Sequence, residues 1–423
     1  MYQKTVLDNG LRVITAAMPH TRSVSICIFI GVGSRYETEA QAGISHFIEH
    51  LCFKGTQKRP TAKEISETIE GVGGILNGGT DKELTVYWCK VAQLHFPLAL
   101  EVLVDMLLHS RFDPQDIEKE RQVIIEEINM SKDFPPQRVD MLIDELLWPN
   151  HPLGRDVAGN KETVAAITRD IMLDYLAGQY LPNNTVITIA GALQHQEMVT
   201  AISQAVGNWT NSGCQQPQAG YSAYKEKPSR RLHIETRDTE QTHLCLALPG
   251  LSLFHPKRFT LDLLNVILGE GMSSRLFVEI RDKLGLVYSI HSHVEHFLDS
   301  GSVTVYAGVE ARNLLVAIRA ILGQLSQLKE TVPESELSKA KELSKGRLLL
   351  RMEDSRNVAG WLGGQEILTG RILSLDQVVS IIDAITTDEL KHLAQELLVG
   401  SQLRLAVVGP ITSDEPVEEL LKL

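Results

Sequence analysis

Apolar residues recur at two spacings along this chain, and the spacing assigns the elements. The opening MYQKTVLDNGLRVI alternates around Asn9-Gly10, which reads as a strand over residues 5–7, a tight turn, and a second strand over 11–16. From Ser23 the β-branched Val24, Ile26, Ile28 and Ile30 predict a third strand over 23–30, and residues 84–91 predict a fourth. Helical spacing predicts helices over 43–53, 61–70, 96–110, 113–132 and 136–147. Later, a helix over 256–268 leads into a turn-like stretch at 269–274, a helix over 275–284, and strands over 289–297 and 301–308.

One helix-strand pattern occurs twice. AITRDIMLDYLAGQYLPNNTVITIAG (166–191) and AITTDELKHLAQELLVGSQLRLAVVG (384–409) align without a gap, sharing Ala-Ile-Thr-x-Asp at the start and Gly at the end. Thr168 and Thr386 are candidate N-caps, the latter with Glu389 as a capping box. A duplicated module is the economical explanation. Between the copies, residues 211–230 are polar, contain Pro217 and Pro228, and lack sustained periodicity, which predicts a linker over 212–229. The expected domains are therefore 1–211 and 230–423, similar to each other and either α/β or α+β.

Composition narrows the class. The 423 residues suggest two or three domains at ~150 residues each. The net charge of −12, with no basic patch, argues against a nucleic-acid partner. Cys27, Cys52, Cys89, Cys214 and Cys245 form no C-x-x-C pair, so neither a disulfide framework nor a four-cysteine zinc site is expected. The amino terminus has no basic flank followed by an apolar core, and the longest uncharged apolar run, 23–33, is short of the ~20 residues a membrane helix needs. A soluble, cytoplasmic chain without membrane contact is expected.

The chemistry concentrates in His46-Phe47-Ile48-Glu49-His50. With Ile44 as zero on a helical wheel, His46, Glu49 and His50 fall at about 200°, 140° and 240°, opposite the stripe of Ile44, Phe47, Ile48 and Leu51. Two histidines at i and i+4 are placed to chelate one Zn2+, and Glu49 can reach a water on such an ion without being a ligand. The plain alternative is a solvated helix face. A catalytic zinc needs a third protein ligand, and the helix DPQDIEKERQVIIEEINMSKD offers carboxylates. Glu120 and Glu127 stack at the edge of its Ile117, Ile124 and Ile128 stripe, whereas Glu126 faces water. Phase alone does not separate this pair from ordinary surface acids.

At these residues the chain resembles the inverted-motif (HxxEH) zinc peptidases that include pitrilysin, insulin-degrading enzyme and mitochondrial processing peptidase. The likeness lies in GVGSRYE, HFIEHLCFKGT, LNGGTDKELTVYW, EKERQVIIEEI and, in the second half, GMSSRLFVEIRDKLGLVYSI. It covers nearly the whole chain, and the length matches the short, two-domain bacterial branch. The resemblance implies an α+β fold of two similar sandwich-like domains related by internal duplication, each a mixed sheet covered by helices. It also implies one Zn2+ per subunit held by His46, His50 and Glu127, with Glu49 activating the water. Glu120 looks like the family's glutamate that steers a histidine ligand. Asn77 matches the asparagine that holds the substrate backbone beside an edge strand, and Gly78 replaces the usual alanine, making that edge more flexible. Arg281 and Tyr288 resemble the family's arginine-tyrosine pair, Tyr288 serving the developing oxyanion and Arg281 the substrate carbonyl.

The function so implied is a zinc endopeptidase cutting peptides or short unfolded polypeptides in a chamber formed by two subunits. The chain would then act as a homodimer, with Arg281 and Tyr288 completing the site of the other copy. The alternative is a non-catalytic structural or substrate-presenting subunit, although such relatives lack part of the metal motif. His291, His293 and Glu295 alternate along a predicted strand followed by His296, which suggests a second metal site or merely a polar strand face. Cys52 reads as a small packing residue.

Overall fold

The computed structural model describes residues 2–207, 209–211, 220–225, 230–411 and 415–422. The strands are β1 (Tyr2–Val6), β2 (Arg12–Ala17), β3 (Ser23–Ile30), β4 (Ile75–Thr80), β5 (Thr85–Ala92), β6 (Thr185–Gly191), β7 (Leu232–Thr236), β8 (Thr242–Pro249), β9 (Val287–His296), β10 (Gly301–Val309) and β11 (Arg404–Gly409). The α-helices of six residues or more are α1 (Ile44–Cys52), α2 (Ala62–Glu70), α3 (Phe96–His109), α4 (Pro114–Asp133), α5 (Pro135–Leu147), α6 (Lys161–Ala166), α7 (Arg169–Gln179), α8 (His195–Val206), α9 (Arg258–Gly269), α10 (Leu314–Glu330), α11 (Glu334–Arg351), α12 (Ser355–Thr369), α13 (Leu375–Ala384) and α14 (Thr387–Leu397).

Two mixed sheets, each covered by helices, make the α+β fold expected. The first runs β1-β2-β6-β3-β5-β4 and the second β7-β11-β8-β10-β9. In the first, β6 lies parallel to β2 and antiparallel to β3; in the second, β11 lies parallel to β7 and antiparallel to β8. The repeated segments thus hold equivalent places in both sheets. Their helices start as the sequence suggests: Thr168 accepts from the Ile171 backbone N–H, and Thr386 and Glu389 form a capping box.

The compact units are not the contiguous halves 1–211 and 230–423. The first comprises residues 1–128, 156–222 and 349–374; the second comprises 129–155, 223–348 and 375–423. Strand β3 shows why. Val24, Ile26, Ile28 and Ile30 join Phe47, Ile48, Leu51, Ile117, Ile124 and Ile128 in one core, while Cys27 and Phe29 face a second apolar layer. That layer is closed by α12 through Ala359 and Leu362, and a Cβ at Gly363 would run into the Phe29 ring. In the second unit the corresponding layer, Cys245, Ala247, Ala406 and Val408, is closed by Val139, Leu142, Ile143 and Leu146 of α5. Each sheet therefore borrows one helix from the other half of the sequence. Periodicity reports that a helix has an apolar face but not which sheet buries it.

Of the predicted linker, 212–219 and 226–229 lie outside the described residues; 220–225 contains no helix or strand, and the change of unit falls there. Two further differences are local. Strand β4 was not expected from its pattern, because Asn77, Gly78 and Gly79 have low strand propensity; its full ladder with β5 supplies what propensity lacks. The helix expected over 275–284 adopts π geometry over Phe277–Lys283. Cys27, Cys52, Cys89 and Cys245 are buried free thiols. No helix among the described residues is long and apolar enough to cross a membrane.

Candidate metal centre

Helix α1 begins where the sequence supplies an anchor. The Glu37 carboxylate accepts the backbone N–H groups of Gly43 and Ser45, both at 2.8 Å, placing a negative charge at the helix's positive end. Gly43 has φ +94°, and a side chain there would strike the Ala158 carbonyl. Ile44, Phe47, Ile48 and Leu51 are buried in the core, which fixes the rotation of α1. The opposite face, carrying His46, Glu49 and His50, is only partly covered. Cys52 is buried beside the Tyr87 hydroxyl, as a packing residue.

His46 Nε2 and His50 Nε2 lie 3.1 Å apart. Glu127 Oε2, from α4, is 4.0 Å from the first and 3.7 Å from the second. Three ligands about 2.0–2.1 Å from a tetrahedral zinc would be about 3.3 Å from one another, so this triangle matches a zinc site in type and nearly in size. His50 Nδ1 is 2.9 Å from Glu120 Oε1. An Nδ1–H donated to that carboxylate leaves the Nε2 lone pair directed at the triangle. His46 Nδ1 is buried without a hydrogen-bond partner among the described residues, so only one of the two imidazoles is oriented by a carboxylate. The residues present fit a divalent ion.

Burial and neighbouring charges act on these groups in different directions. Burial, and then the charge on His50, push His46 down to about 4, leaving it a neutral donor near pH 7. Burial also opposes charge on His50, but its bond to Glu120 and the charges of Glu127 and Glu49 outweigh it and raise its pKa. Glu49 is raised, chiefly by burial and also by Glu127. Burial would raise Glu120, yet its bonds to His50 and to Lys54 prevail and lower it.

Glu49 also has a carboxylate oxygen within 4.8 Å of both imidazoles, so a second acid lies within reach of the same pair. Its surroundings differ from those of Glu127. Thr80 Oγ1 on β4 donates to Glu49 Oε2 at 3.2 Å. A Cβ at Gly78 would lie 2.7 Å from Glu49 Oε1 and 3.0 Å from the Phe53 ring. The missing side chain at Gly78 thus leaves room for the carboxylate. Asn77 is exposed on the same strand, its side-chain oxygen accepting the Gly78 N–H at 2.8 Å. Among the described residues β4 pairs with β5 alone, which makes it the edge strand of its sheet.

Residues 12–161 match the family described as Insulinase (Peptidase family M16), and residues 166–344 match the Peptidase M16 inactive domain. The chain belongs to the M16 peptidase family. An uncharacterized zinc protease of Bacillus subtilis is 35% identical over 97% of this chain and 98% of its own length. One from Mycobacterium leprae is 36% identical over 99% of this chain and 94% of its own. A protease from Helicobacter pylori shares the fold, with a TM-score of 0.92 at 22% identity, covering 97% of this chain and 99% of that one. The two-domain length of the M16 chain agrees with the short bacterial branch.

The remaining sequence-derived residues lie in the second unit of the M16 chain. Arg281 sits in the π segment, 4.6 Å from the Phe277 ring centre and 6.0 Å from that of Tyr288. Tyr288, on β9, is 74% exposed. Among the described residues, His291, His293 and Glu295 do not assemble into a metal-binding group, and His296 bonds instead to Asp262 and the Leu251 carbonyl. Sequence reasoning missed Thr80 and Lys54. Both carried a signal: Lys54 follows His50 by one helical turn, and Thr80 shares the Gly78 side of a strand.

Proposed function

We propose that this M16 chain is a zinc-dependent endopeptidase acting on peptides or short unfolded polypeptides, with His46, His50 and Glu127 holding one zinc per subunit. The observation that carries this reading is the triangle of two imidazole nitrogens and a carboxylate oxygen beside a second, half-buried carboxylate. A bound zinc would supply Lewis acidity, lowering the pKa of a water and polarising the scissile carbonyl. Glu49 takes the proton of the attacking water and returns it to the departing amine, a role helped by the upward shift that burial gives its carboxyl. Thr80 aims the carboxylate. The open edge of β4 offers main-chain groups to an extended substrate, with Asn77 holding its backbone and Gly78 allowing close approach. General acid-base catalysis of this kind contributes about 10²–10⁴-fold.

In the same reading Tyr288 donates to the developing oxyanion and Arg281 positions the carbonyl. Each chain works as half of a homodimer that encloses a chamber, the second unit of one copy completing the site of the other. A monomer with full activity in sedimentation and kinetics would contradict that assembly.

The experiment that tests the activity is cleavage of a peptide library by wild type and Glu49→Gln, each with and without chelator. Cutting by wild type alone, abolished by chelator, is expected. Equal cutting by both proteins overturns the assignment, and no cutting by either favours a presenting subunit.

A further inference from the structure

Glu120 reaches beyond His50. Its Oε2 accepts from Lys54 Nζ at 2.7 Å, while its Oε1 faces His50 Nδ1 at 2.9 Å. The carboxylate is almost wholly buried, so each oxygen relies on one protein partner. Lys54 stands four residues after His50, just beyond α1, where its backbone N–H bonds to the Leu51 carbonyl at 3.1 Å. A single helical turn therefore carries both the imidazole and the cation that grips the imidazole's partner.

We propose that Lys54 is a positioning residue for the metal centre, clamping Glu120 so that His50 presents Nε2 at a fixed angle, and balancing the charge of the site. This inference rests on the zinc reading above. Three carboxylates, Glu49, Glu120 and Glu127, surround the two imidazoles. When ionised they carry three negative charges, which a divalent ion and Lys54 together neutralise. A neutral residue at position 54 releases one oxygen of Glu120, which turns and loosens its hold on His50. Buried carboxylates lose orientation when one of two partners is removed, and partners of metal-bound histidines are worth roughly ten- to a hundredfold in metal affinity. Because His46 Nδ1 has no hydrogen-bond partner among the described residues, His50 is the imidazole that a carboxylate orients.

The test is zinc affinity, measured by competition with a chelator on stripped wild type, Lys54→Met, Lys54→Gln and Lys54→Arg, alongside the unfolding midpoint of each zinc-free protein. Met and Gln are expected to weaken zinc binding roughly ten- to a hundredfold with little change in the zinc-free midpoint, and Arg to retain it. A double-mutant cycle with Glu120→Gln should show that the two losses do not add, since Lys54 acts through Glu120. Wild-type zinc affinity in both neutral variants, or fully additive losses, overturns this proposal alone. A wild type that takes up no zinc overturns it together with the metal reading.

Discussion

Thr80 Oγ1 donates to Glu49 Oε2 across 3.2 Å, tying the half-buried acid of α1 to the edge strand β4. In the proposed function, the strand offered to the substrate is thereby also the strand that orients the base. Thr80→Val keeps the shape and removes the donor. A hydrogen bond to a charged group is worth about 1.5–3 kcal/mol, so kcat should fall roughly ten- to a hundredfold while KM and zinc content stay near wild type. An unchanged kcat in steady-state peptide cleavage would show that the hydroxyl does not orient the base.

Gly78 gives the complementary case. A methyl group there meets Glu49 Oε1 at 2.7 Å and the Phe53 ring at 3.0 Å. The carboxylate is the end of a flexible side chain and can swing aside, so Gly78→Ala should leave the unfolding midpoint nearly unchanged. Displacing the base should cost about tenfold or more in kcat/KM. Trimming the ring with Phe53→Leu should restore part of the loss. Full activity in Gly78→Ala alone would contradict this account.

In the second unit, His296 Nε2 lies 3.1 Å from Asp262 and its Nδ1 lies 2.6 Å from the Leu251 carbonyl. Burial opposes its charge, but the bond and charge of Asp262 and the carbonyl outweigh burial and raise its pKa above the ordinary 6.5. The folded state thus binds the proton more tightly than the unfolded one. The resulting stabilisation is fully present below the unfolded value and is lost as pH rises through the higher folded value. Urea midpoints of wild type and His296→Gln should accordingly converge as pH rises from 6 towards 8. A gap that widens over that range would reverse the sign of the argument.

Much of this was legible in the chain, for reasons tied to particular residues. The wheel of α1 was readable because Ile44, Phe47, Ile48 and Leu51 all enter one core. Glu120 and Glu126 were separable by phase, and one is buried while the other is exposed. The repeat was readable because its copies serve the same place in two sheets. What escaped depends on contacts distant in sequence. The exchange of α5 and α12 is decided by which sheet lacks a cover, and β4 is held by its neighbour rather than by its own glycine-rich sequence. Thr80 meets Glu49 only because that ladder forms. Position 54, likewise, acquires meaning once Glu120 arrives from α4.

The most direct measurement is zinc content with X-ray absorption at the zinc edge, on wild type and Glu127→Gln. The account predicts about one zinc per wild-type chain, in a shell of two imidazoles and oxygen donors, and much weaker retention in the variant. Zinc bound without histidine nitrogen in its shell, or none bound at all, would contradict it.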